Sequence, residues 1–167
     1  MRVIKDNQIV DDDWQRIDVT EADVSLPEGD IIVPFAYWKQ HKAELLSRQD
    51  GRVSVCIHGD DAIEDVVADL QHFQLIALDF PAFKDGRNYS NARLLRERYG
   101  YRGELRAVGD VLRDQLFYLR RCGFDSFQVR ADKNIEDALK GLSDFSVTYQ
   151  TAADGATPVY KNRLKPA

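Results

Sequence analysis

Apolar residues recur along the chain as short runs separated by longer amphipathic stretches. The runs begin at Ile31, Val53, Leu75, Leu105, Phe127 and Val147, at intervals of 20 to 30 residues. Each interval contains one helical pattern, and strands that alternate with helices of this length are typical of βαβ units around a mainly parallel sheet. Runs without polar alternation suit strands that are covered on both faces. The pattern therefore predicts an α/β fold of about six βα units.

Five helices are predicted from apolar residues spaced three and four positions apart. The first covers about residues 35–47, and the second follows Asp61. Because Ser, Asp and Asn side chains accept hydrogen bonds from the first free N–H groups of a helix, we predict N-caps for the other three helices. These caps are Ser90, Asp110 and Asn134.

The two ends of the chain depart from this repeat. Residues 2–10, RVIKDNQIV, predict a small N-terminal β-hairpin that turns at Asp6–Asn7. Residues 151–167 are polar and contain proline and glycine, which predicts a loosely ordered tail after a single domain over residues 1–150. Two architectures are compatible with six strands. They are an open doubly wound sheet, or an incomplete TIM-like barrel whose missing part is supplied by another chain.

Composition narrows the classes of function. The net charge of −5 argues against bulk binding of nucleic acid, and no apolar run approaches the ~20 residues that cross a bilayer. The N-terminal residues become acidic before a signal-peptide core forms, so we expect a cytoplasmic protein. Cys56 and Cys122 have no CxxC spacing, and neither GxGxxG nor a P-loop sequence occurs. No cofactor is recognisable, and no pair of histidines has metal-ligand spacing.

Positive charge is concentrated in the middle of this acidic chain. Residues 84–121 contain ten Lys and Arg, nine of them arginine, against five Asp and Glu. Guanidinium groups match the geometry of oxyanions, so the region predicts recognition of a small anion. The alternative is that these arginines lie on solvated helix faces.

The candidate binding residues lie where the predicted strands end. In either architecture ligands bind at the carboxyl ends of parallel strands, where the following loops meet. The connection after Asp79 is the longest, and it contains Arg87 and leads to Ser90. Arg106 and Arg130 occupy similar positions on the next two strands. We predict that Arg87, Ser90, Arg106 and Arg130 converge on a small dianion, with a turn and a simple helix cap as the alternative.

Asp79, Asp110 and His58 are the candidate catalytic groups. Arg106 interrupts an apolar run, where an unpaired charge is costly, so it requires a carboxylate or ligand nearby. Asp79 is the predicted partner, and a purely structural pair between Arg106 and Asp79 is the alternative. His58 follows a strand and has a side chain suited to acid–base chemistry near neutral pH, or to a structural hydrogen bond. Cys56 is predicted to be buried and inert.

Three motifs carry a family resemblance. They are DGR-x-YS-x-AR-x-LR at 85–96, G-x-LRA-x-GDVL-x-DQ at 103–115 and RCGFD at 121–125, with DDW at 12–14 and GR-x-SV at 51–55. In these motifs the chain resembles the bacterial domain-of-unknown-function family 934. The resemblance implies an accessory protein or oxidoreductase in assimilatory sulfite reduction, acting beside a sulfite reductase that holds siroheme and an iron–sulfur cluster.

Three functions are compatible with this resemblance and with the residues. The first is an accessory enzyme or anion-handling subunit that binds a small oxyanion at the carboxyl ends of the strands. The second is a non-catalytic adaptor that docks on sulfite reductase or its electron donor. The third is an enzyme that acts on a phosphorylated metabolite, through a barrel-like phosphate site at the helix that Ser90 caps. Association of the chain with itself is compatible with all three.

Overall fold

The computed structural model describes residues 1–18 and 25–162. Its strands are β1 (Arg2–Lys5), β2 (Gln8–Asp11), β3 (Gln15–Arg16), β4 (Ile31–Pro34), β5 (Val53–Ile57), β6 (Leu75–Phe80), β7 (Glu104–Gly109) and β8 (Ser126–Phe127). Its helices are α1 (Phe35–Ser47), α2 (Ile63–Val67), α3 (Arg87–Glu97), α4 (Arg113–Arg121), α5 (Ile135–Lys140) and α6 (Val159–Asn162). No helix in these two ranges has the length and apolar character needed to cross a membrane.

All eight strands form one sheet in the order β2-β1-β8-β7-β6-β5-β4-β3. Strands β3 to β8 are parallel, and each lies beside its neighbour in the chain, whereas β1 is antiparallel to β2 and β8. A doubly wound sheet reverses its strand order at a switch point. The order of these parallel strands does not reverse, which excludes a doubly wound sheet. The fold is an α/β half-barrel with a curled, mainly parallel sheet.

The curl follows from the short connection between the two edges of the sheet. The edge strands β2 and β3 are joined by residues 12–14 alone. Four Cα steps reach at most about 14 Å, so strands at opposite ends of the strand order are brought close together. In this connection Trp14 is buried against Ile32, Cys56 and Val108 on the concave face of the sheet. The N-terminal segment therefore covers the inside of the half-barrel.

Helices cover the convex face of the same strands. Alternate residues of a strand point to opposite faces, so β5 directs Val55 and Ile57 into the main core and Cys56 to the concave side. The main core also contains Trp38 of α1, Leu95 of α3 and many other apolar residues. Burial of each large aliphatic side chain contributes about 1.5–3 kcal/mol. Coverage of both faces explains why the strand sequences do not alternate between apolar and polar residues.

The predicted N-terminal hairpin is present as β1 and β2. Asp6 and Asn7 have φ values of 50° and 62°, which places both turn residues in the left-handed region. Such a turn matches the twist of the flanking strands, and Asn and Asp tolerate this conformation well. The hairpin is not a separate appendage, because β1 also pairs with β8, with Ile4 opposite Phe127.

The predicted strand at Val147 is wrong. Residues 147 and 148 have no regular structure, and the Val147 side chain is 62% exposed. The sixth parallel strand is β3, which consists only of the exposed residues Gln15 and Arg16. A strand this short and polar leaves no hydrophobic pattern to detect. The predicted tail at 151–167 includes α6, and its residues 163–167 lie outside the described part of the chain.

Ser90 does not cap α3, contrary to the prediction. The helix begins at Arg87, one turn earlier, so Ser90 is an exposed residue within it. The side chain of Asp85 accepts a hydrogen bond from the Arg87 backbone N–H at 3.2 Å, and this contact satisfies one of the first donors of the helix. A phosphate site at an N-terminus capped by Ser90 is therefore absent.

Asp110 does not cap α4, contrary to the prediction, because that helix begins at Arg113 after Leu112. Asn134 caps α5 as the sequence predicts, and this cap gives a direct test. Its side-chain oxygen accepts a hydrogen bond from the backbone N–H of Asp137 at 2.7 Å. We expect Asn134→Ala to lower the free energy of unfolding by about 1 kcal/mol in urea denaturation, because the N–H loses its acceptor. Asn134→Asp retains an acceptor and serves as the control. Equal stability of the alanine and aspartate variants would contradict this role.

Candidate functional site

One end of the half-barrel carries most of the predicted site residues. His58 follows β5, Asp79 lies near the end of β6, Asp110 follows β7, and Arg130 pairs with Asp110 at 2.6 Å. Arg87 packs against the loop after β5, where a Cβ built on Gly59 would lie 2.6 Å from the Arg87 Nε atom. The parallel strands thus bring five residues to one rim, as expected from topology. We call this end the carboxyl rim.

Arg106 is not part of the carboxyl rim. Its side chain is 1% exposed on the concave face, where Nη1 and Nη2 each donate to Asp12 at 2.7 Å. Its Nε and Nη2 atoms also donate to Glu104 at 2.8 and 2.7 Å. The predicted pair with Asp79 is wrong because Arg106 lies opposite Ala77 in the sheet, two residues before Asp79. Arg106 has a structural role, since it ties the 12–14 connection to β7.

The two rim arginines are paired with carboxylates. Arg87 bonds Asp85 at 2.7 Å and Asp60 at 3.3 Å, and Arg130 bonds Asp110 and Asp132, each at 2.6 Å. Hydrogen bonds from Arg87 lower the pKa of Asp85 to about 2. Arg130 does the same for Asp132, whose pKa falls to about 2. The predicted pocket of three converging, available arginines is therefore not formed.

Asp79 has a different environment from the other carboxylates of the rim. Its side chain is 14% exposed and lies between Arg16 Nη1, 3.5 Å from Oδ1, and His58 Nδ1, 3.4 Å from Oδ2. Neither contact is a hydrogen bond, and no other described residue donates one to this carboxylate. The sequence analysis does not identify Arg16, because β3 consists of two polar residues and has no hydrophobic pattern. It lies on the edge strand β3, three strands from β6, and the curl of the sheet brings it to Asp79.

Asn88 fixes the strand ends that carry His58 and Asp79. This buried side chain donates to the carbonyl of Ile57 at 3.3 Å and to the carbonyl of Asp79 at 2.7 Å. Asn91 in turn donates to the Asn88 side-chain oxygen at 2.9 Å. Asn88 therefore holds β5 and β6 in fixed relation at the rim. It lies within the DGR-x-YS motif, at a position that the motif leaves open.

Gly109 leaves the space that Asp79 occupies. Its φ is +93°, which an L side chain rarely adopts, and a Cβ at this position would lie 2.9 Å from Asp79 Oδ1 and 2.5 Å from the Phe80 carbonyl oxygen. Glycine is required here for both reasons. Together with Asn88, it defines the position of the Asp79 carboxylate.

Cys56 is buried, as predicted. It lies on the concave face, and burial, followed by the nearby charge of Asp79, raises the pKa of its thiol to about 12. A thiol with this pKa is protonated at neutral pH and is a poor nucleophile or metal ligand. Within residues 1–18 and 25–162, no three His, Cys, Asp or Glu side chains are grouped so as to hold a metal ion.

A second surface feature lies beside α4, away from the carboxyl rim. Phe145, Val147 and Tyr149 are 63%, 62% and 76% exposed. The Phe145 ring lies 4.9 Å from the ring of Phe117 on α4, between ring centroids, and the Arg120 guanidinium lies 5.4 Å from the Phe117 ring. We call these five residues the aromatic surface. The sequence analysis does not indicate this surface, because it predicts a strand at Val147.

Arg121 holds the outer segment of this surface against α4. Its guanidinium donates to the Gln150 carbonyl and pairs with Asp154 at 3.2 Å. Its own carbonyl accepts a hydrogen bond from the Ala153 N–H at 3.1 Å. The segment that presents Phe145 and Tyr149 is therefore fixed by contacts on its C-terminal side.

These features define an α/β protein of sequential βα units curled into a half-barrel, with a carboxyl rim and a separate aromatic surface. The family model described as bacterial protein of unknown function (DUF934) matches residues 54–160. The chain belongs to this family, as its motifs predict. Comparison with curated proteins and with solved structures gave no match.

Proposed function

We propose that the protein is a non-catalytic accessory protein of assimilatory sulfite reduction, and that it docks on sulfite reductase or its electron donor. The motifs of the chain support the pathway, through the resemblance described above. The observation that carries the docking role is the aromatic surface formed by Phe117, Arg120, Phe145, Val147 and Tyr149.

The composition of the aromatic surface favours a protein partner. Single exposed apolar residues are common on monomers, but contiguous apolar patches mark interaction sites. Phe, Tyr and Arg are enriched at protein interfaces, where they supply most of the binding energy. Because Arg121 already fixes the segment that carries Phe145 and Tyr149, little conformational entropy is lost when a partner binds.

Charge indicates the kind of partner. The Arg120 guanidinium lies over the Phe117 ring, and it forms no ion pair with any residue of the described ranges. Docking would desolvate this cation, so the partner must supply a carboxylate beside the apolar groups that cover Phe145 and Tyr149. The proposed partner surface is thus an apolar centre with acidic residues at its edge.

The carboxyl rim gives less support to catalysis in this chain. Arg87 and Arg130 are each neutralised by two carboxylates, and the Cys56 thiol is buried. Docking requires none of these groups. The adaptor role therefore accounts for more of the described features than an accessory enzyme does.

The double variant Phe145→Asp, Tyr149→Asp tests this role. We expect it to bind sulfite reductase or the electron donor at least about tenfold more weakly, because two central apolar contacts are replaced by charges that repel an acidic edge. Isothermal titration calorimetry with each purified partner measures the loss. Growth with sulfate as the sole sulfur source should fall in parallel.

Leu46→Asp provides the matched control. Leu46 is 47% exposed on α1, which packs on β4 and β5, so this variant introduces one negative charge on an unrelated exposed face, for comparison with each single variant, Phe145→Asp and Tyr149→Asp. Wild-type affinity of the double variant, or failure of the wild type to bind either partner, would refute the proposal.

A further inference from the structure

We propose that Asp79, His58 and Arg16 form a binding site for a small protonated oxyanion, a ligand with both a negatively charged oxygen and a hydroxyl group. Hydrogen phosphate and hydrogen sulfite have this chemistry. The site lies on the carboxyl rim, and its three side chains come from β6, from the loop after β5 and from β3. It is separate from the aromatic surface, so the proposal does not depend on docking.

The first step is the Asp79 carboxylate, which has ion-pair contacts but accepts no hydrogen bond from a described side chain or backbone group. Its side chain is 14% exposed. By contrast, other carboxylates shielded to a similar degree each accept at least one hydrogen bond: Asp12, Glu104, Asp69, Asp85 and Asp30. Because the Asp79 side chain is still partly exposed, solvent and small ligands reach its carboxylate oxygens. A ligand hydroxyl would supply the donor that Asp79 lacks.

The second step is the pair of cationic or donor groups beside this carboxylate. Arg16 Nη1 and His58 Nδ1 lie 3.5 and 3.4 Å from the two Asp79 oxygens, longer than the 2.7–2.9 Å that is usual for charge-assisted hydrogen bonds. Arg16 Nε also lies 3.9 Å from Asp18 Oδ1, again beyond hydrogen-bond distance, so both groups retain donors for another acceptor. The His58 side chain is 51% exposed, so a ligand reaches it from solvent. A negatively charged ligand oxygen would accept from Arg16 and His58 while its hydroxyl donates to Asp79.

The third step is that the position of the site is fixed. Asn88 holds the strand ends before His58 and at Asp79, and Gly109 leaves no side chain in the space of the Asp79 carboxylate. His58 is also fixed through its backbone N–H, which donates to the Asp61 carboxylate at 2.8 Å. Groups held by their neighbours in this way lose little freedom when a ligand binds.

The carboxylate also determines which anions are accepted. Near neutral pH sulfate carries no proton, so each of its oxygens would face Asp79 as a second negative acceptor. Both main forms of phosphate at this pH carry a proton and can donate it in a hydrogen bond. Discrimination by such repulsion is a general route to specificity. The site should therefore accept phosphate and hydrogen sulfite and reject sulfate.

Titration of the full chain with inorganic phosphate and with sulfate, at equal ionic strength near pH 6.5, tests the proposal. We expect phosphate to bind at least tenfold more tightly than sulfate and to shift the His58 imidazole signals in the NMR spectrum. Asp79→Asn should remove this preference, because the amide can donate to sulfate. Arg16→Gln should weaken binding of phosphate about tenfold or more.

Arg130→Gln is the control, since Arg130 is on the same rim but is engaged by Asp110 and Asp132. It should leave phosphate affinity unchanged, and thermal denaturation of each variant checks that it is folded. A third titration with sulfite distinguishes the two protonated ligands, and tighter binding of either one supports the site. Equal binding of sulfate and phosphate, no binding of either at millimolar concentration, or an unchanged preference in Asp79→Asn would overturn it.

Discussion

Replacement of Arg106 by methionine is expected to lower the free energy of unfolding by about 3–5 kcal/mol at neutral pH. Arg106 is 1% exposed and makes four hydrogen bonds, two to Asp12 and two to Glu104. The variant keeps the aliphatic volume but leaves Asp12 without its cation and Glu104 with Lys5 alone, at 2.6 Å. An uncompensated buried charge costs far more than the net contribution of the original pair.

The pH dependence of this loss identifies its cause. Burial acts to raise the pKa of Glu104, but Arg106 and Lys5 outweigh burial and hold that pKa below its usual value. A carboxyl with a lowered pKa contributes stability that is present above its unfolded pKa and is lost as the pH falls through the folded pKa. In Arg106→Met the Glu104 carboxyl loses the contribution of Arg106 to this lowering of its pKa. The difference from wild type should therefore be smaller near pH 4 than near pH 7.

Urea denaturation at both pH values measures the effect, with Arg130→Met as the control. Arg130 forms two ion pairs, but its side chain is 41% exposed, and exposed pairs contribute little to stability because solvent screens them. A loss for Arg106→Met as small as that of the control would contradict a buried network. A loss of unfolding free energy in Arg106→Met that is larger near pH 4 than near pH 7 would contradict it as well.

Arg96→Met is expected to lower the free energy of unfolding by about 3 kcal/mol. The Arg96 guanidinium donates to the carbonyls of Gly123, Tyr101 and Gly103 at 2.7–2.8 Å, and to the Asp125 carboxylate at 2.6 Å. These bonds join α3 to the turn before β7 and to the turn before β8. Methionine cannot donate, so three carbonyls and a carboxylate lose a donor at a site where solvent access is limited.

Arg93→Met on the same helix separates this effect from the general effect of losing an arginine. Arg93 pairs with Glu97 at 2.9 Å on the exposed face of α3, and its loss should change stability far less, because solvent screens this pair. Thermal and urea denaturation of the two variants give the comparison. Similar stabilities would show that the Arg96 contacts contribute little.

Local signals in the sequence predicted most of the fold. The βα repeat, the bounds of α1, the Asn134 cap and the turn at Asp6–Asn7 each depend on residues close together in the chain. Such features follow from hydrophobic periodicity and from the conformational preferences of turn and cap residues. The predicted strand at Val147 was wrong because a short apolar run has no unique structure.

The site was less predictable because it depends on the closure of the sheet. The sequence analysis pairs Arg106 with Asp79 because both were expected near the same strand ends. In the structure Arg106 lies opposite Ala77, two residues before Asp79, and its partner is Asp12 of the 12–14 connection. Arg16 and Asn88 could not be identified, since one lies on a strand of two residues and the other acts on backbone carbonyls. Contacts between distant segments leave no local pattern.

The way in which β1 joins the sheet also constrains how the chain is made. Ile4 pairs with Phe127, about 120 residues later, so the β1–β2 hairpin has no partner in the rest of the sheet until β8 is synthesised. At 5–20 residues per second this delay is on the order of ten seconds. During that time the hairpin has no docking surface in the sheet. Its docking is therefore a late step of biogenesis, and a nascent chain stalled before β8 would leave the apolar side chains of Val3 and Ile4 open to chaperones.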